Sequence, residues 1–120
     1  MAQRSSFGTY LRGRREALRE GDRRFSLRQV AQRSGIKPTY LSKLERDELP
    51  PPSEKTAVRL AEELGEDPDV VLAMAGKVSS ELQAIIRQHP KAFADLIRHL
   101  KDAPEHAILR VVREVRDGEW

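Results

Sequence analysis

Apolar residues recur along this chain at intervals of three and four, the spacing of helices with one buried face, and no segment alternates in the two-residue rhythm of a strand. Phe7, Leu11 and Leu18, with Tyr10 and Ala17 beside them, predict a first helix from Phe7 to Glu20, closed by Gly21 and Asp22. Ser26 suits an N-cap, because its hydroxyl can accept from the free amides of the next turn. The helix it opens runs from about Leu27 to Ser34 and turns Leu27, Val30 and Ala31 inward. Gly35 stands where a tight turn needs a residue at ease with positive φ. Pro38 fits the first turn of a third helix, where its missing N–H is not needed; Leu41 and Leu44 face inward and the helix ends near Arg46 to Glu48. Leu49-Pro50-Pro51-Pro52 cannot be helix interior and reads as a stiff extended link. Ser53 caps a fourth helix, with Ala57, Leu60, Ala61 and Leu64 on one face and Gly65 at its end. Pro68 begins a short fifth helix with Val70, Val71 and Met74 inward, ended by Gly76.

The rest of the chain repeats one device. Ser79 or Ser80 caps a helix to His89, Pro90 opens a second to about Asp102, and Pro104 opens a third to about Asp117. Their stripes are Leu82, Ile85 and Ile86; then Phe93, Leu96, Ile97 and Leu100; then Ile108, Leu109, Val112 and Val115. Helices this short are marginal alone in water, so these stripes must pack on something. The expected fold is all-α: a five-helix domain over residues 5–76, then a three-helix segment over 77–120.

Length and composition narrow the picture. The chain's 120 residues suffice for one compact domain with an accessory segment, and aromatics make up only 5%, so the core rests on Leu, Ile, Val and Ala. Without cysteine there is no disulfide and no thiolate metal site, which favours a cytosolic home. No run approaches the roughly 18 apolar residues of a membrane span, and MAQRSSFGTY lacks the apolar centre of a signal peptide. The net charge of +3 is unevenly spread: residues 1–60 carry 14 Lys and Arg against 7 Asp and Glu, residues 61–120 carry 8 against 12. A basic first half points to a polyanion such as the nucleic-acid backbone. His89, His99 and His106 have no metal-ligand spacing, and there is neither a glycine-rich phosphate loop nor a nucleophile elbow. The expectation is a protein with no catalysis, no cofactor and no metal. Ala75-Gly76 reads as a helix ending, and Trp120 as either a packing anchor or a frayed end.

Residues 27–45 read LRQVAQRSGIKPTYLSKLE. Ala31 lets two helices cross closely at a steep angle, Gly35 makes a turn of three to four residues, and Ile36, Leu41 and Leu44 hold the second helix in place. Its outer side is then Lys37, Thr39, Tyr40, Ser42, Lys43 and Arg46, donors long enough to reach base edges and phosphates. The stretch SLRQVAQRSGIKPTYLSKLER resembles the helix-turn-helix of the lambda-repressor-like family, also called Xre or Cro type, and SEKTAVRLAEELGEDPDVVLAMAG looks like that family's fourth and fifth helices. The resemblance implies that the helix from Pro38 to Arg46 enters the major groove of double-stranded DNA. Its base-reading positions fall on Lys37, Pro38, Thr39, Ser42 and Lys43. Phosphate contacts fall on the amide of Leu27, on Arg28, on Tyr40 and on Arg46. It also implies an ion pair between an arginine of the first helix, here Arg15, and Glu45. Two features depart from the family: the link GDRRF is longer and adds Arg23 and Arg24, and Asp47 replaces the usual glycine after the recognition helix.

One such unit touches one half-site, and each good base contact is worth only about 1–3 kcal/mol, so two units related by a two-fold axis are expected. The expected joint is the tail, with Leu82, Ile86, Phe93, Leu96, Ile97, Leu100, Ile108 and Val112 buried between two chains; the alternative is that the tail folds back on its own first domain. The function that follows is a homodimeric transcriptional repressor of the cytoplasm, associated with the nucleoid. The alternative is an antitoxin or similar switch whose tail binds a regulatory protein partner.

Overall fold

The computed structural model describes residues 6–118; Ser5 and Trp120 lie outside that range. The described residues form eight α-helices and no strand. In chain order these are α1 (Phe7–Arg19), α2 (Leu27–Arg33), α3 (Pro38–Glu45), α4 (Glu54–Leu64), α5 (Pro68–Met74), α6 (Ser80–Gln88), α7 (Pro90–Leu100) and α8 (Glu105–Asp117), with a single 3-10 turn at Arg23–Phe25. They divide into two compact units, the first ending at Ser79 and the second beginning at Ser80.

Local chemistry sets the helix starts in the first unit. Hydroxyls of Ser6, Ser26 and Ser53 accept from the amides of Thr9, Gln29 and Thr56 at 3.1, 3.3 and 3.3 Å, each satisfying one free N–H of a first turn. Asp67 does the same for α5, accepting from Asp69 N at 2.9 Å. Gly35 adopts φ +73°, the left-handed conformation that the turn between α2 and α3 requires.

One core joins these five helices. Leu11 of α1, Val30 and Ala31 of α2, Leu41 and Leu44 of α3, and Ala57, Leu60 and Leu64 of α4 are all buried. In α5 the buried pair is Val71 and Leu72, whereas Val70 is 45% exposed, contrary to the expected inward set. The run Val70-Val71-Leu72 spans less than one turn, and α5 is only 7 residues long, so apolar spacing alone could not fix its phase. Polar ties reinforce the packing. Arg33 pairs with Glu63 at 2.7 Å, Arg59 donates to the Arg33 carbonyl at 2.9 Å, and Arg14 pairs with Glu66 at 2.6 Å.

The second unit differs in kind: α6, α7 and α8 bury no residue. Ile97, Leu109, Val112 and Val115 are 62, 50, 50 and 61% exposed. The helices also start slightly later or end slightly earlier than expected: α7 stops at Leu100, and Pro104 precedes α8 as its cap instead of opening it. No described helix is long and apolar enough to cross a membrane.

Candidate nucleic-acid interface

The arrangement around α3 follows from what lies beneath it. Ala31, fully buried and bearing only a methyl group, gives α2 a small contact point beneath α3. Leu41 and Leu44 lock the inner side of α3, and half-buried Ile36 and Tyr40 pack at the edge of the same core. The opposite side is solvent-facing: Lys37, Pro38, Thr39 and Lys43 are exposed, and Ser42 is half-buried at the margin. Lys37 caps α3 in extended conformation and Pro38 is its first residue, so the helix start presents both side chains outward.

Two devices fix α3 against α1. The first is buried and charged. Arg15 donates from Nε to Glu45 Oε2 at 2.7 Å and from Nη2 to Glu45 Oε1 at 2.8 Å, and both side chains are 4% exposed. The remaining guanidinium nitrogen donates to the Phe25 carbonyl at 3.3 Å, and Glu16 approaches Nη2 at 3.3 Å. Hydrogen bonding to Glu45 raises the Arg15 pKa above its ordinary value, although burial alone would lower it. The pair implied for Arg15 and Glu45 is therefore formed, with the two-pronged geometry that suits guanidinium and carboxylate.

The second device was not legible in the sequence. Asp47, directly after α3, adopts φ +57°, a left-handed conformation that aspartate tolerates better than most side chains. Its Oδ1 accepts from Gly8 N at 2.9 Å and its Oδ2 accepts from Ser6 Oγ at 2.6 Å. A carboxylate after α3 thus takes one free amide and the capping hydroxyl at the start of α1, where the helix dipole favours negative charge. The approach is close: a Cβ on Gly8 would lie 2.3 Å from the Leu44 carbonyl oxygen and 2.7 Å from that of Glu45. The only signal in the sequence was the break from the family's glycine; the partner lies 39 residues away.

The cations around α3 are not equivalent. Arg28, on the first turn of α2, is exposed. Arg46 pairs with Glu48 at 3.0 Å and donates to the Ser42 carbonyl at 3.3 Å. In the long link after α1, Arg24 folds back onto Asp22 at 2.7 Å, and its hydrogen bonds hold the Asp22 carboxyl below its usual range. Arg23 remains exposed. Among the described residues no three His, Asp or Glu side chains stand together as a metal site.

In comparison with known families, the helix-turn-helix model matches residues 16–71. These residues are a lambda-repressor-like, Xre/Cro-type helix-turn-helix domain. No curated protein and no solved structure matches the chain. The match includes α2, α3, α4 and the turn built on Gly35, begins within α1 and ends within α5. A helix-turn-helix domain of this type binds DNA and typically belongs to regulators that perform no catalysis. Gly8 and Asp47 show how this domain fixes α1, since Gly8 lies before the matched residues and Asp47 within them.

Proposed function

We propose that this chain is a homodimeric, sequence-specific repressor that reads a palindromic operator through the major groove, with one α3 in each half-site. The observation that carries the reading is the two-sidedness of α3: Leu41 and Leu44 are buried, while Lys37, Pro38, Thr39 and Lys43 are open to an incoming duplex. Lys43 donates to guanine O6 and N7, Thr39 to either type of base, and Pro38 offers van der Waals contact to a thymine methyl. Lys37 and the marginal Ser42 complete the base-reading set. Backbone contact falls to the Leu27 amide, Arg28 and the hydroxyl of Tyr40; Arg46 serves only by exchanging Glu48 for a phosphate. The cytoplasm is where such a regulator meets its DNA.

The tail is the proposed joint between two chains. Its helices are 9, 11 and 13 residues long, short enough to melt in water unless their apolar faces are covered. Leu82, Ile86, Phe93, Leu96, Ile97, Leu100, Ile108 and Val112 lie on faces of which no residue is buried. Covering such side chains stabilises by roughly 1.5–3 kcal/mol apiece.

Two substitutions test the reading in the groove. Lys43→Ala should relax preference at one base position and weaken the favoured sites by roughly tenfold to a hundredfold, leaving others little changed. Arg28→Ala should weaken all sequences alike and reduce the slope of log affinity against log salt by about one. Titration of a panel of duplexes at several salt concentrations measures both. An unchanged ranking of sites after Lys43→Ala would show that α3 does not lie in the groove in this register.

A further inference from the structure

We infer that α8 pairs antiparallel with α8 of a second copy of this chain, Glu105 of each chain meeting Arg116 of the other; this rests on the tail being the joint between chains. Glu105, Leu109, Val112 and Arg116 follow one another at steps of four, three and four, so they share one face of the helix. That face is open: Leu109 and Val112 are each 50% exposed, and Glu105 and Arg116 are exposed. It borders an apolar groove lined by Leu96, Leu100, Ile108, Val111, Val112 and Val115, with Arg116 at the lip.

The pattern is its own complement. Reversing the direction of the helix maps Glu105 onto Arg116 and Leu109 onto Val112, because the step sequence reads the same from either end. A two-fold axis perpendicular to α8 therefore sets acid against base at both ends and apolar against apolar in the middle. A parallel pair would set Glu105 beside Glu105 and Arg116 beside Arg116. An isologous interface requires just such self-complementarity. Among the described residues Arg116 pairs with its exposed neighbour Asp117 at 2.8 Å, and a guanidinium has donors for a second carboxylate. Leu109, part of the α8 stripe but not among the eight residues expected at the joint, thus stands with Val112 in the middle of the α8 pair.

The test uses the full chain and sedimentation equilibrium. Glu105→Arg and Arg116→Glu, made singly, each replace two attractive contacts by two repulsive ones and should weaken self-association about tenfold. The double variant Glu105→Arg/Arg116→Glu exchanges the partners and should return to the wild-type constant, which also controls for any effect on α8 itself. Mixing the two single variants should give heterodimers in preference to either homodimer. The antiparallel pairing is overturned if the single variants associate like wild type, or if the double variant stays as weak as the singles. Leu109→Asp/Val112→Asp then separates the two levels. If that variant is monomeric while the charge variants are unaffected, the tail is the joint but in another orientation. If it still dimerises like wild type, the tail-mediated dimer fails as well.

Discussion

Replacing Glu45 by alanine is expected to destabilise the helix-turn-helix unit by about 3–5 kcal/mol, the usual cost of stranding one member of a buried ion pair. Arg15 would keep the Phe25 carbonyl and the approach of Glu16, but it would lose both charge-assisted bonds while only 4% exposed. The effect should exceed that of an exposed pair such as Arg46–Glu48, whose loss is worth at most about 1 kcal/mol. Glu45→Gln should cost less than Glu45→Ala, since a neutral amide still accepts one bond. The double variant Arg15→Met/Glu45→Leu should recover much of the loss, because it removes the buried charge together with its partner. Urea unfolding of the four proteins measures these differences, and a Glu45→Ala cost below about 1 kcal/mol would contradict the buried-pair account. DNA binding should fall with stability here, because Glu45 ends the helix proposed to enter the groove.

The second large effect is one of sign. Alanine is the better helix former by about 1 kcal/mol, so a glycine-to-alanine change within a helix ordinarily stabilises. Gly13 obeys that rule, with nothing within 4 Å of the Cβ it would gain, and Gly13→Ala should stabilise by about 0.5–1 kcal/mol. Gly8 reverses it. Its Cβ would stand 2.3 Å from the Leu44 carbonyl oxygen and 2.7 Å from the Asp47 carboxylate, and the nearest obstacle is backbone that cannot swing aside. Gly8→Ala must push α1 off the end of α3, breaking the bond from Gly8 N to Asp47, and should destabilise by about 2–3 kcal/mol. Thermal or urea unfolding of the two variants side by side reads the contrast. Equal shifts of the same sign would show that the close approach of α1 to α3 is wrong.

These two sites also mark how far the sequence could be read. Helix starts were legible because they are set by residues acting on their own first turn: Ser26, Ser53 and Pro38 do there what their chemistry allows. The turn at Gly35 was legible for the same reason. The Arg15–Glu45 pair was reached through the family resemblance and not from spacing, since 30 residues separate its members. The role of Asp47 depends on a tertiary approach at similar range, and a side chain in place of glycine gave no hint of its target. Phase is not fixed where a helix is as short as α5: apolar spacing turns Val70 inward, whereas in the structure Val70 is exposed and Leu72 is buried. In the tail the apolar stripes were plain, but a stripe does not say which of its edges lies open. The exposure of Leu109, at the edge of the expected face, came only from the packed helices.

Selection of bound sequences from random duplex DNA with all 120 residues present decides whether the outer sides of two α3 helices read base edges at once. The expected result is enrichment of an inverted repeat whose half-site centres lie about one helical turn, roughly 34 Å, apart or a multiple of it. Recovery of a pool no different in sequence from the input, bound only through a salt-sensitive attraction to phosphate, would contradict it.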